Sequence, residues 1–126
     1  MKKIQDIYKS LGEYGCLLLC YLHEANIDAN ITKYFNELVE LDIIDNDCYV
    51  LDGDRLLKFF GSDKRIVRGI NENGNTIVPF KYGKNEHFVV VNERVDSNKE
   101  IVFNSLENST CVRLGEPVWE KARYLA

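Results

Sequence analysis

Hydrophobic residues recur with a helical period through the first half of the chain and with a strand period through the second. Ile4, Ile7, Tyr8 and Leu11 follow the i, i+3, i+4, i+7 rule, which predicts an amphipathic helix over residues 2–11 with Gly12 as its stop. Gly15 then precedes an almost wholly apolar run from Cys16 to Ala25. A helix that is apolar around most of its girth is a central one. Asn30 or Thr32 can cap a third helix that buries Ile31, Tyr34, Phe35, Leu38, Val39 and Leu41. A short fourth helix is predicted from Asp52 to Phe60, with Gly61 as its C-terminal stop.

Past that point the pattern alternates. Arg65 to Ile70 and Thr76 to Tyr82 read as strands around a loop with an Asn73-Gly74 step, suited to positive φ. Pro79 marks the second of them as an edge strand or a bulged one. His87 to Val95 is the strongest strand signal, apolar on both faces at Phe88-Val89-Val90-Val91, and is therefore expected at the centre of a sheet. A turn at Asp96-Ser97-Asn98-Lys99 leads into a strand over Glu100 to Leu106. Thr110 to Leu114 reads as a further strand, and Glu116 to Leu125 as a closing helix with Pro117 at its first position. Helices first and strands second predict an α+β fold, and the lack of any linker or repeat predicts a single domain over 1–126.

Composition narrows the function classes. The chain has 126 residues, 45% of them hydrophobic, enough for one packed core without staples. A formal charge of -4 argues against a phosphate-backbone partner, and the nearest basic cluster, Lys64, Arg65 and Arg68, reads as a solvated strand end. No stretch has the ~18 apolar residues of a spanning helix, and Met1-Lys2-Lys3 is not followed by an apolar block, so no membrane and a cytoplasmic location are expected. Cys16, Cys20, Cys48 and Cys111 fall on apolar segments, which predicts thiols rather than bridges, with at least three packed as small hydrophobes.

Three residues stand where chemistry would use them. Cys16 opens the central helix, where backbone N–H groups and the positive end of the dipole favour a thiolate. His87 starts the strongest strand, a rigid platform for an imidazole. Asn104 interrupts the apolar strand that follows, where its amide can accept the ring N–H. The Cys16 N–H would also point at an oxyanion. A competing metal site would use Cys16, Cys20 and His23 at i, i+4, i+7 on one helix face. The outer pair is ~10 Å apart along the axis, too far for one zinc without ligands from elsewhere.

The order Gly15-Cys16, then His87-Phe88-Val89-Val90-Val91, then Ile101-Val102-Phe103-Asn104 resembles the papain-like cysteine peptidases. It is most similar to the bacterial branch that trims double-glycine leader peptides and to minimal phage and plasmid relatives. The segment Leu51 to Gly61 resembles the helix-to-glycine stretch of that branch. The resemblance implies N-terminal helices packed on a C-terminal antiparallel sheet. It also implies a peptide or protein substrate, no cofactor and no metal, with Cys16 as nucleophile, His87 as base and Asn104 as its orienting partner. Family members place a glutamine a few residues before the Cys as an oxyanion donor; here the only upstream glutamine is Gln5, eleven residues away. Leu17 stands where the family often has glycine, and Asn104 replaces the Asp of the bacterial branch. The alternative implied by these departures is a weak or inactive papain-like fold that binds a protein partner.

Overall fold

In the computed structural model, which describes residues 2–92, 100–106 and 108–126, four helices precede a sheet, giving an α+β chain. The chain divides between Arg65 and Ile66 into two units, each with its own internal packing.

The first unit holds helices α1 (Ile4–Tyr14), α2 (Cys16–Glu24), α3 (Ile31–Glu40) and α4 (Gly53–Phe59). The first expectation needs correcting here. Gly12 does not end α1, because it faces open space and costs the helix only its own flexibility. The break falls at Gly15, whose N–H closes the last turn on the Leu11 carbonyl. A Cβ at Gly15 would lie 2.6 Å from that carbonyl oxygen, so only glycine lets α2 start one residue after α1 ends. The buried face of α1 is also rotated from the expected one. Ile7 and Ser10 are buried, whereas Ile4 and Tyr8 are 61% and 57% exposed. Ser10 is tolerated there because its Oγ accepts from the Lys2 ammonium at 2.6 Å. The same ammonium donates to the Asn46 carbonyl and lies over the Phe35 ring, tying the start of α1 to α3 and the loop after it.

The Asn30 cap read from sequence is in place, and Asp52 caps the fourth helix. Asn30 accepts from the Thr32 N–H, and Asp52 from the Arg55 N–H, each satisfying a first-turn donor. Ile31, Phe35 and Leu38 are buried as expected, while Leu41 is exposed. Leu18, Cys20, Tyr21 and Leu22 are buried, so α2 is the central helix of its unit. Between α3 and α4, Asp45 Oδ1 accepts from the N–H groups of Asp47 and Tyr49, closing a tight loop beside the Ile44–Val50 bridge.

In the second unit, β1 (Ile66–Arg68), β2 (Asn75–Tyr82), β3 (Asn85–Asn92), β4 (Glu100–Phe103), β5 (Glu116–Pro117) and β6 (Arg123–Leu125) form an antiparallel sheet. The order is β1-β6-β2-β3-β4, with β5 pairing on β2. β1 therefore pairs with β6 and not, across the Asn-Gly loop, with β2. The tight hairpin joins β2 to β3 instead, through Gly83 at φ +62° and Lys84, with Tyr82 opposite Asn85. Pro79 is not on an edge: β6 and β5 pair with β2 on either side of it, and its carbonyl accepts from Val118. The missing N–H thus falls where the pairing changes partner. β3 lies inside the sheet with Val89, Val90 and Val91 fully buried. Residues 93–99, which include the end of the expected strand and the expected turn, lie outside the described residues.

Two expectations for the C-terminal part are overturned. Thr110–Leu114 is a short helix, α5, because Ser109 caps it by accepting from the Val112 N–H. Glu116 to Leu125 is β5, a 3-10 turn at Trp119–Lys121 and β6, not a helix. Val78, Val89, Val91 and Ala122 form the core on one face of this sheet, with Phe80, Val112 and Trp119 packed against them. Period-2 alternation places His87 on that same face, directly across from Phe80.

Two glycine substitutions should move stability in opposite directions. Gly83→Ala places a Cβ in a left-handed turn and should cost about 1 kcal/mol, a drop of roughly 4 °C in the unfolding midpoint. Gly12→Ala adds a methyl to open space inside a helix and should raise the midpoint by a similar amount. Thermal unfolding followed by circular dichroism checks both; equal signs would contradict the assignment of Gly12 to a continuous helix.

Candidate functional site

His87 is held on β3 two residues after the hairpin, buried at 7% exposure. Asn104 follows the last residue of β4, one strand over. The structure brings these two together: His87 Nε2 lies 2.6 Å from Asn104 Oδ1. The Leu106 N–H also donates to Asn104 Oδ1, at 3.1 Å. A backbone N–H can only donate, so the amide atom that faces it is the oxygen. An oxygen in turn requires the imidazole nitrogen opposite it to carry the proton. The neutral ring is therefore the Nε2–H tautomer, and Nδ1 keeps its lone pair as the basic atom. Sequence reasoning found both side chains from their places at strand ends. It missed Leu106, which contributes through its backbone alone.

Cys16 and Gln5 belong to the first unit. Cys16 is the first residue of α2 and is half-buried, with the helix's first-turn N–H groups and positive dipole end at the thiol. The first bond of the helix runs from the Leu19 N–H to the Gly15 carbonyl. All four cysteines are thiols, and Cys20, Cys48 and Cys111 are buried, as the apolar segments predict. Burial, then the electrostatic influence of Cys16 and of Glu24, pushes the Cys20 thiol well above its usual range. Burial likewise pushes Cys48 up to about 11, against the pull of the Lys2 ammonium and with help from the Asp45 and Asp47 charges. Cys16 is thus the most accessible thiol of the four.

Gln5 is exposed on the first turn of α1. Nine residues of continuous helix separate it from Tyr14, ~13 Å of axial rise, with Gly15 and Cys16 beyond. That separation argues against Gln5 as the oxyanion donor. Of the residues in the alternative metal pattern, Cys20 is fully buried, whereas His23 is exposed and its Nδ1 lies 3.0 Å from Glu24 Oε2. Among the described residues no three His, Cys, Asp or Glu side chains come together as metal ligands. No protein-family model, curated protein or solved structure matches the chain.

Two outcomes test this geometry. The ring nitrogens of His87 should read as pyrrole-like at Nε2 and pyridine-like at Nδ1 in long-range nitrogen–proton correlation spectra. Asn104→Leu should convert that pattern to a mixture; an Nδ1–H ring in the parent protein would contradict the assignment. The buried thiols set a pH dependence as well. Cys20 and Cys48 are raised in the folded state above an ordinary value of 9.0, so their neutral forms stabilise the fold fully below about pH 9. For Cys48 that contribution is lost as pH rises from 9.0 through about 11. Urea midpoints should fall over that interval, and Cys48→Ala should flatten the fall; an unchanged slope would exclude Cys48 as a contributor.

Proposed function

We propose that this chain is a papain-like thiol hydrolase acting on a peptide-type bond, with Cys16 as nucleophile, His87 as base and acid, and Asn104 as the residue that sets the ring. The observation that carries the reading is the tautomer fixed by Asn104, which leaves Nδ1 of His87 as a proton acceptor on a rigid strand. The helix-start position of Cys16 supports it from the nucleophile's side. Reduced thiols throughout fit a reducing compartment, in keeping with action in the cytoplasm.

The chemistry follows from those roles. His87 Nδ1 takes the Cys16 proton, and the sulfur attacks the substrate carbonyl carbon. The carbonyl electron pair moves to oxygen, where the first-turn N–H groups of α2 stabilise it. Collapse of that intermediate breaks the C–N bond, and the amine leaves with the proton from His87. A thioester remains on Cys16. Water then attacks the thioester carbon as His87 takes its proton, and the acid product departs as the thiol is regenerated. Asn104 is neutral, so it orients the imidazolium without neutralising it.

The exposed position of Gln5 favours one second reading, a domain that binds a peptide and cuts it slowly or not at all. Alkylation separates the two. Iodoacetamide at about pH 6 should label Cys16 faster than the other three thiols, and His87→Ala should slow that labelling about tenfold or more with the fold retained. Exposure alone would make Cys16 the fastest, so the His87 variant is the decisive arm. Unchanged labelling in His87→Ala removes the activated thiol and leaves the binding reading.

A further inference from the structure

Tyr14 and Tyr49 form an exposed aromatic pair in the first unit, their ring centroids 5.4 Å apart and their planes tilted by 34°. Tyr14 is 40% exposed and Tyr49 50%, so both rings are open to solvent. Their surroundings are acidic. Glu13 is hydrogen-bonded to the Tyr14 hydroxyl and, with its charge, raises that hydroxyl above the usual tyrosine range, with smaller contributions from Tyr49 and Asp47. Asp45 holds the Tyr49 N–H. Asp47 is 61% exposed. Lys2, whose ammonium lies 3.9 Å from Asp47, has a side chain only 16% exposed and donates to Ser10 and Asn46. Glu13 and Asp47 both act on the Tyr14 hydroxyl, and Asp45 lies at the Tyr49 backbone, so the pair stands beside carboxylates. Tyr14 precedes Cys16 by two residues, which puts their Cα atoms within about 7.6 Å.

An aromatic face beside carboxylates recognises a cation, and a guanidinium best of all, since it stacks on a ring while its N–H groups reach carboxylate oxygens. We infer that the Tyr14–Tyr49 pair, with Glu13 and Asp47, binds an arginine or lysine side chain of a peptide substrate close to the bond that Cys16 attacks. This deepens the hydrolase reading and rests on it for the word substrate, while the binding itself does not. The paired rings supply area and orientation, and the carboxylates supply the preference for positive charge.

The experiment uses the full chain as Cys16→Ala, so that binding is read without turnover. The probe is a blocked, fluorescein-labelled octapeptide of alternating arginine and alanine, compared by anisotropy with the same peptide carrying glutamate for arginine. The arginine peptide is expected to bind at least tenfold more tightly. Tyr49→Ala and Asp47→Asn should each weaken it about two- to fivefold. Glu120→Gln, an equal loss of charge in the other unit, should leave it unchanged. Equal binding of the two peptides overturns the inference, as does a Glu120→Gln effect as large as that of Asp47→Asn, which would mean bulk charge alone. If the arginine peptide binds as expected and the unmodified chain never cleaves it, the hydrolase reading fails and the cation site stands.

Discussion

A neutral imidazole works as a base only through the nitrogen that lacks a proton, and in this chain one amide oxygen decides which nitrogen that is. Asn104 Oδ1 sits between two donors, the His87 ring and the Leu106 backbone. Because the backbone partner cannot accept, the side chain cannot flip without losing the Leu106 bond. The inner position of β3, its fully buried valines and the tight turn at Gly83 all hold the ring against that oxygen. The sheet is, in this sense, a mount for one proton.

The helical unit solves a different problem, that of keeping one thiol accessible while three others are put away. Gly15 allows α2 to begin directly after α1, and so sets Cys16 at a helix start instead of inside a longer helix. One turn later Cys20 is already buried, and desolvation holds its proton on. Cys48 is buried as well, and burial again outweighs the nearby ammonium. Accessibility and helix position, not cysteine count, separate Cys16 from the rest.

Much of this was legible in the sequence, for local reasons. Asn30 and Asp52 announced their helices because a capping side chain acts within three residues. His87 and Asn104 were found because strand ends aim side chains predictably. The failures had two kinds of cause, an overlooked local cap and non-local pairing. Thr110 to Leu114 contains β-branched residues and read as a strand, yet the Ser109 cap prevailed. Glu116 to Leu125 read as a helix, yet it pairs with two distant strands, β1 and β2. The Ile4–Tyr8 face was expected inside because the Lys2 to Ser10 bond that turns the helix the other way leaves no hydrophobic signal. Gln5 was only a weak oxyanion candidate, expected on the first helix, and it lies there exposed, and eleven residues in a helix are long. Tyr14 and Tyr49 lie thirty-five residues apart, so no pattern along the chain links them.

Cys16 and His87 are carried on different units, and the proposed acyl transfer requires the Cys16 sulfur and His87 Nδ1 to meet. The most direct measurement is bridging with 1,3-dibromoacetone followed by peptide mass spectrometry. The thiol displaces one bromide and the imidazole the other, so a covalent link forms only between groups that lie together. The expected product is a single bridge joining the peptide with Cys16 to the peptide with His87. Cys16 alkylated at one arm only, or bridged to any other residue, would contradict the proposed acyl transfer.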